Sequence, residues 1–230
     1  MAQWQDNFGA GGCNVRLGQR FDASGRFLPE RGNTVVAQVT AGSATQSALI
    51  DLRSSLMGLS FGGHFAFTDV ASYHMTVFEG VIETQRDYAC WPTGLALDLE
   101  IDEMTTAMAA RLDGFVPPQP FTMKLACVTP HGLSLTGATP EDEVNARRWR
   151  DALAAAFGFR SPSHEAYGFH TTLAYQIEWP PVEALPFHAK AMARLTEEFA
   201  ARVPVLHPDA PAFCRFADMN AFAQVRRFPD

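Results

Sequence analysis

Cysteine is scarce in this 230-residue chain: Cys13, Cys90, Cys127 and Cys214 are scattered without a C-x-x-C pair. Such spacing builds neither a disulfide framework nor a zinc cage of thiolates, so the thiols are expected to be reduced and structural. No stretch of about 18 apolar residues occurs, and the first twenty residues lack the apolar run of a secretory signal. A cytoplasmic location without membrane contact is the expectation. Basic residues are outnumbered, 18 Lys and Arg against 25 Asp and Glu, for a net charge of -7. An acidic chain repels an extended phosphate backbone, so long nucleic acid is a disfavoured partner, although one small phosphate group can still be held locally. The chain also lacks a G-x-x-x-x-G-K phosphate loop and a His-Glu-x-x-His pair. These absences argue against ATP-driven ligation and against a metal hydrolase, and no cofactor or metal is expected.

What is present is an ordinary globular composition, 47% hydrophobic and 11% aromatic, with enough length for one large domain or two intimately packed lobes. Residues 1–32 read as an irregular arm, 33–222 as a single bilobal domain and 223–230 as a tail; a monomer is expected. Within the arm, Asp22-Ala23-Ser24-Gly25 marks a turn. Asn33 to Thr40 is β-branched and glycine-bounded, which predicts a strand. A helix follows, capped by Ser43 with Gln46, striped by Leu49, Leu52 and Leu56, and stopped by a left-handed Gly58. Strands are predicted at Phe65 to Thr68 and Ser72 to Phe78, then a helix capped by Asp98 with Ile101, Met104, Met108 and Leu112 inward. The proline-rich Gly114 to Pro120 segment is the expected hinge. Beyond it come strands at Phe121 to Val128 and Leu133 to Gly137. A helix is capped by Thr139 and closed by Gly158, with Val144, Trp149, Leu153 and Phe157 on its buried side. A strand at Gly168 to Tyr175, a helix at Phe187 to Val203 and a strand at Ala212 to Phe216 complete the order.

These elements repeat. Ser43 and Thr139, and His74 and His170, are each separated by 96 positions, the size of one supersecondary unit. Two copies of a strand, helix, His-strand, helix module predict an α+β protein of two lobes, with facing antiparallel sheets, outer helices and a central cleft.

The His-strands read Tyr73-His74-Met75-Thr76-Val77-Phe78 and Phe169-His170-Thr171-Thr172-Leu173-Ala174. Residues i and i+2 of a strand share a face, so each copy projects an imidazole and a hydroxyl together. One His-x-Thr is weak evidence, because a histidine on a strand is commonly a satisfied structural residue. Two copies on matched strands point to a site. Phe78 falls on the same face by simple alternation and is a candidate for stacking on a base or ribose, with core packing as its alternative. Lys124 is a candidate phosphate cation, with a solvated strand face as its alternative. Tyr73 and Tyr175 fall on the opposite face and read as packing residues with a polar tip. His64 reads as a structural histidine. His131, His164, His188 and His207 read as surface residues, and Arg147, Arg148 and Arg150 as an ion-paired, solvated helix face.

With HMTV at His74 and HTTL at His170, the chain resembles the 2H phosphoesterase superfamily, which contains cyclic phosphodiesterases and RNA 2',5' ligase-like proteins. The resemblance extends from about Gly32 to Phe222, and the flanking residues look most like a bacterial branch whose substrate is uncharacterised. It implies two catalytic histidines, His74 and His170, with Thr76 and Thr172 binding phosphate. The expected activity is metal-independent hydrolysis of a small cyclic phosphodiester, such as a nucleoside 2',3'-cyclic phosphate. A non-catalytic nucleotide- or phosphate-binding module and RNA 2',5' ligation are the alternatives, the latter disfavoured by the negative charge.

Overall fold

The computed structural model describes residues 16–228 as an α+β fold. Nine strands lie in two antiparallel sheets: β1 (Gly32–Gln38), β2 (Phe65–Phe67), β3 (His74–Ile82), β4 (Met123–Thr129), β5 (Gly132–Gly137), β6 (His170–Thr172), β7 (Ala174–Gln176), β8 (Ala212–Asp218) and β9 (Ala221–Arg227). The large sheet runs β4-β5-β6-β3-β1-β8-β9, and β2 pairs with β7 in the small one. Four α-helices accompany them: α1 (Ala44–Met57), α2 (Ile101–Ala110), α3 (Pro140–Phe157) and α4 (Leu185–Arg202).

The repeat is built as two half-sheets that meet edge to edge, rather than as two separate sheets. β1 and β3 form an antiparallel pair in the first half, β5 and β6 in the second, and the halves join where Met75 of β3 stands opposite Thr171 of β6. Both connecting helices start as their sequences dictate. The Ser43 hydroxyl accepts from the Gln46 amide, and Thr139 forms a full capping box with Asp142, satisfying amide donors that have no partner inside the helix. α3 ends at Gly158 with φ +75°, the left-handed stop. Gly58 departs from expectation: its φ is -76°, so α1 ends in right-handed geometry.

Met75, Val77, Leu133, Leu135 and Leu173 are buried on one face of the sheet, where the helices cover a single core that includes Leu49, Leu52, Met104, Met108, Leu153 and Phe157. Side chains at alternate positions point away from that core and are left for the opposite face.

Other expectations need correction. The second helix is capped at Glu100, not Asp98, and Glu100 makes no side-chain cap bond. Trp149, Leu153 and Phe157 are buried on α3 as expected, but Val144 is exposed and Asn145 and Ala146 take the inward positions of the first turns. The expected tail forms most of β9, whose pairing with β8 runs as far as Arg227. Burial there does not alternate, since all its residues but the part-buried Phe222 and Arg226 are exposed, and the segment gives little sequence signal for a strand. The predicted strand from Gly168 to Tyr175 is two strands in two sheets, broken at Leu173. The described part of the arm is ordered by its own turn. The Asp22 carboxylate accepts from the Ser24 amide and hydroxyl and from the Arg26 amide, while Phe21 is fully buried against Phe27 and Tyr175. Cys13 lies outside the described residues.

Candidate active site

The pairing of Met75 with Thr171 sets the geometry of the site. In that antiparallel register His74 faces Thr172 and Thr76 faces His170, so the two motifs form a crossed quartet on the face away from the core. All four side chains line one cleft, which encloses about 680 Å³ with its open solvent space.

Each imidazole is oriented in the same way. His74 Nδ1 donates to the Ser72 carbonyl at 2.6 Å, and His170 Nδ1 donates to the Gly168 carbonyl at 2.8 Å. Both acceptors sit two residues upstream, so the extended backbone itself selects the tautomer and leaves Nε2 as the nitrogen available to the cleft. The surroundings differ. Phe222 of β9 packs on the His74 ring with centroids 4.2 Å apart, and His74 is half-buried whereas His170 is exposed. Burial lowers the His74 pKa to about 4, the nearby His170 lowers it further, and the Ser72 carbonyl opposes both. His74 is therefore neutral at pH 7.

Several lining residues escaped sequence reasoning. Tyr167 reaches the cleft, its hydroxyl shares a hydrogen bond with the Thr76 side chain, and its ring lies 5.8 Å from that of His170. Burial raises the Tyr167 pKa, and neighbouring Glu79 adds to the rise, so its hydroxyl stays protonated. Behind it lies Arg150, almost fully buried, with its guanidinium 3.8 Å from the Tyr167 ring centroid and donating to the Val77 carbonyl at 2.8 Å. This overturns the reading of Arg150 as a solvated charge: it sits on the inward stripe of α3, and its partners come from β3 and from the loop before β6. Arg147 likewise donates to the Tyr167 carbonyl and lies over the Phe169 ring, besides pairing with Glu143.

Phe78 does not line the cleft. Between Val36 paired with Thr76 and Val35 paired with Phe78, β3 carries one extra residue, a bulge that reverses the alternation. Phe78 turns into the core against Phe157 and Phe159, and Glu79 takes its place in the cleft. A second irregularity lies between Thr34 opposite Glu79 and Gly32 opposite Ile82. There a Cβ on Gly80 would stand 2.2 Å from the Asn33 carbonyl oxygen, an approach only glycine permits. Lys124 is exposed on β4, outside the cleft, as its alternative reading required. Tyr73 is buried in the core as expected, whereas Tyr175 lines the cleft. The break at Leu173 resets the strand phase, and Leu173 and Ala174 are both buried.

Three of the histidines read as surface residues are not. His131 is half-buried with its pKa lowered by burial, His164 is buried with Nε2 3.0 Å from an Asp151 oxygen, and His188 is fully buried. Asp151, His164 and Glu165 do bring potential metal-ligand atoms together. Arg160, however, pairs with both carboxylates, at 3.2 and 2.7 Å, so a cation of the protein already neutralises that cluster.

A family model described as 2H-phosphodiest, domain of unknown function (DUF1868), matches residues 20–134, half of the chain. The chain belongs to this 2H phosphoesterase family. The match covers the His74 motif, and the crossed quartet places the second motif beside it. The crystal structure of a conserved protein of unknown function from Agrobacterium tumefaciens is 40% identical over 95% of this chain and 94% of its own, with a TM-score of 0.93. No curated protein matches. Membership of the 2H family supports a phosphoesterase-like function, and among the described residues no helix is long and apolar enough to cross a membrane.

Proposed function

We propose that the protein hydrolyses a small cyclic phosphodiester, such as a nucleoside 2',3'-cyclic phosphate, with His74 as general base and His170 as general acid. The observation that carries this reading is the matched tethering of the two rings: both Nδ1 atoms are held by backbone carbonyls, so two Nε2 atoms are offered to one cleft. His74, neutral at pH 7, takes a proton from water as the water oxygen attacks phosphorus. The bond from phosphorus to one ribose oxygen breaks, and His170, reached by solvent, delivers a proton to that oxygen. The product is a phosphomonoester on the other oxygen. Thr76 and Thr172 hydroxyls bind the non-bridging oxygens and stabilise the charge that grows there, and Tyr167 fixes the Thr76 hydroxyl through their shared hydrogen bond. Proton transfer by the two rings and hydroxyl binding supply the chemistry from the protein's own groups.

Turnover of nucleoside 2',3'-cyclic phosphates in excess chelator tests the proposal. Product phosphomonoester is expected, and His74→Ala or His170→Ala each lowers kcat by about 10²-fold or more with the circular dichroism spectrum unchanged. Variants as active as the parent would contradict it. Tight nucleotide binding without turnover would make the cleft a binding module instead.

A further inference from the structure

One permanently cationic side chain lines the cleft among the described residues, and it comes from neither copy of the repeat. Arg20 belongs to the segment before β1. Its Nε donates to a Glu30 oxygen at 2.6 Å, and Glu30 is almost fully buried, with Arg16 3.9 Å from its other oxygen. The Arg20 guanidinium lies 5.1 Å from the Tyr175 ring centroid and is a hydrogen-bond partner of that residue's hydroxyl. The backbone is fixed as well: the Arg20 carbonyl accepts from the Leu28 amide, and the Glu30 amide donates to the Ala217 carbonyl. A buried carboxylate is costly unless charges and hydrogen bonds meet it. Here it holds an arginine fork in one orientation at the cleft wall, with the remaining guanidinium edge outside the Nε–Glu30 contact.

A guanidinium held in this way suits a phosphate, whose oxygens match its paired donors. The histidine and threonine quartet already supplies the groups one phosphate needs, and the other charged lining residue, Glu79, accepts from Ser161 at 2.9 Å. We infer that Arg20, supported by Tyr175, anchors a second anion subsite, and that the substrate is a cyclic phosphodiester carrying a further phosphate group. The inference rests on the phosphodiester reading of the quartet and narrows its substrate class to doubly phosphorylated nucleotides or sugars.

Equilibrium binding separates the two. Titration calorimetry compares a nucleoside 2'-phosphate with its 2',5'-bisphosphate, in the adenosine and uridine series, so that turnover is not required. The bisphosphate is expected to bind the parent protein at least about tenfold more tightly, and Arg20→Gln to bring the two affinities within about twofold. Because Arg20→Gln strands the Glu30 carboxylate, the double variant Arg20→Gln/Glu30→Gln is measured beside it and is expected to show the same collapsed ratio. Equal affinities in the parent protein with the monophosphate still bound overturn the subsite alone. Equal weakening of both ligands by Arg20→Gln also overturns it, since Arg20 then serves the first phosphate. Failure of both ligands to bind overturns the phosphodiester reading and the subsite together.

Discussion

His74 and His170 occupy equivalent places in two copies of one motif, and each donates Nδ1 to the carbonyl two residues before it. What packs over them is not equivalent. The first half-sheet is extended by β8 and β9, and β9 lays Phe222 on His74; the second half is extended by β4 on its far edge, and His170 stays exposed beside Tyr167. Duplication therefore supplies the orientation of both rings, while the unduplicated additions separate their environments. An acid and a base of one chemical type need such a separation to take different roles.

Arg150 joins the two motifs, binding the Val77 carbonyl in β3 and covering the Tyr167 ring ahead of β6. Arg150→Met leaves that carbonyl without its donor and is expected to cost about 1 to 3 kcal/mol in urea unfolding, with activity falling as Tyr167 loses its support. Unaltered stability would show that the two motifs are coupled by the sheet alone.

Phe222→Ala attacks the difference itself. With water admitted to His74, its pKa is expected to rise from about 4 toward 6.5, moving the acid limb of kcat/KM upward by as much as about 2 pH units. The same group links stability to pH. An unfolded histidine binds its proton at about 6.5 and folded His74 at about 4, so the unfolded state holds more protons in between and stability falls as pH drops through that window. Phe222→Ala should flatten this His74 contribution. The smallest effect is expected from Tyr167→Phe, which removes the hydroxyl partner of Thr76 and should lower kcat by about 3- to 10-fold.

Much of this arrangement was legible in the sequence, because it depends on local signals. The helix caps at Ser43 and Thr139, the alternation in His74-Met75-Thr76 and the equal 96-residue offsets are all readable from residue type and spacing. The parts that were not legible follow from interruptions of alternation. A bulge in β3 exchanged Phe78 for Glu79, and the break at Leu173 brought Tyr175 into the cleft. Neither depends on residue type alone, since both arise from pairing with strands distant in sequence. Arg150 was hidden for a different reason. A charged residue among Glu141, Asp142, Glu143 and Asp151 resembles a solvated face until the Val77 carbonyl and the Tyr167 ring are seen beneath it. The arm carried no periodic signal, yet the segment around its Asp22-to-Gly25 turn delivers Arg20 to the site.

In the proposed mechanism both rings present Nε2 to one cleft, and His74 does so as a neutral base. Nitrogen-detected NMR of the two imidazoles across pH, assigned with single histidine variants, tests this most directly. Each neutral ring is expected to carry its proton on Nδ1, and His74 to titrate near pH 4. A proton on Nε2 in either neutral ring, or a His74 midpoint near 6.5, would contradict it.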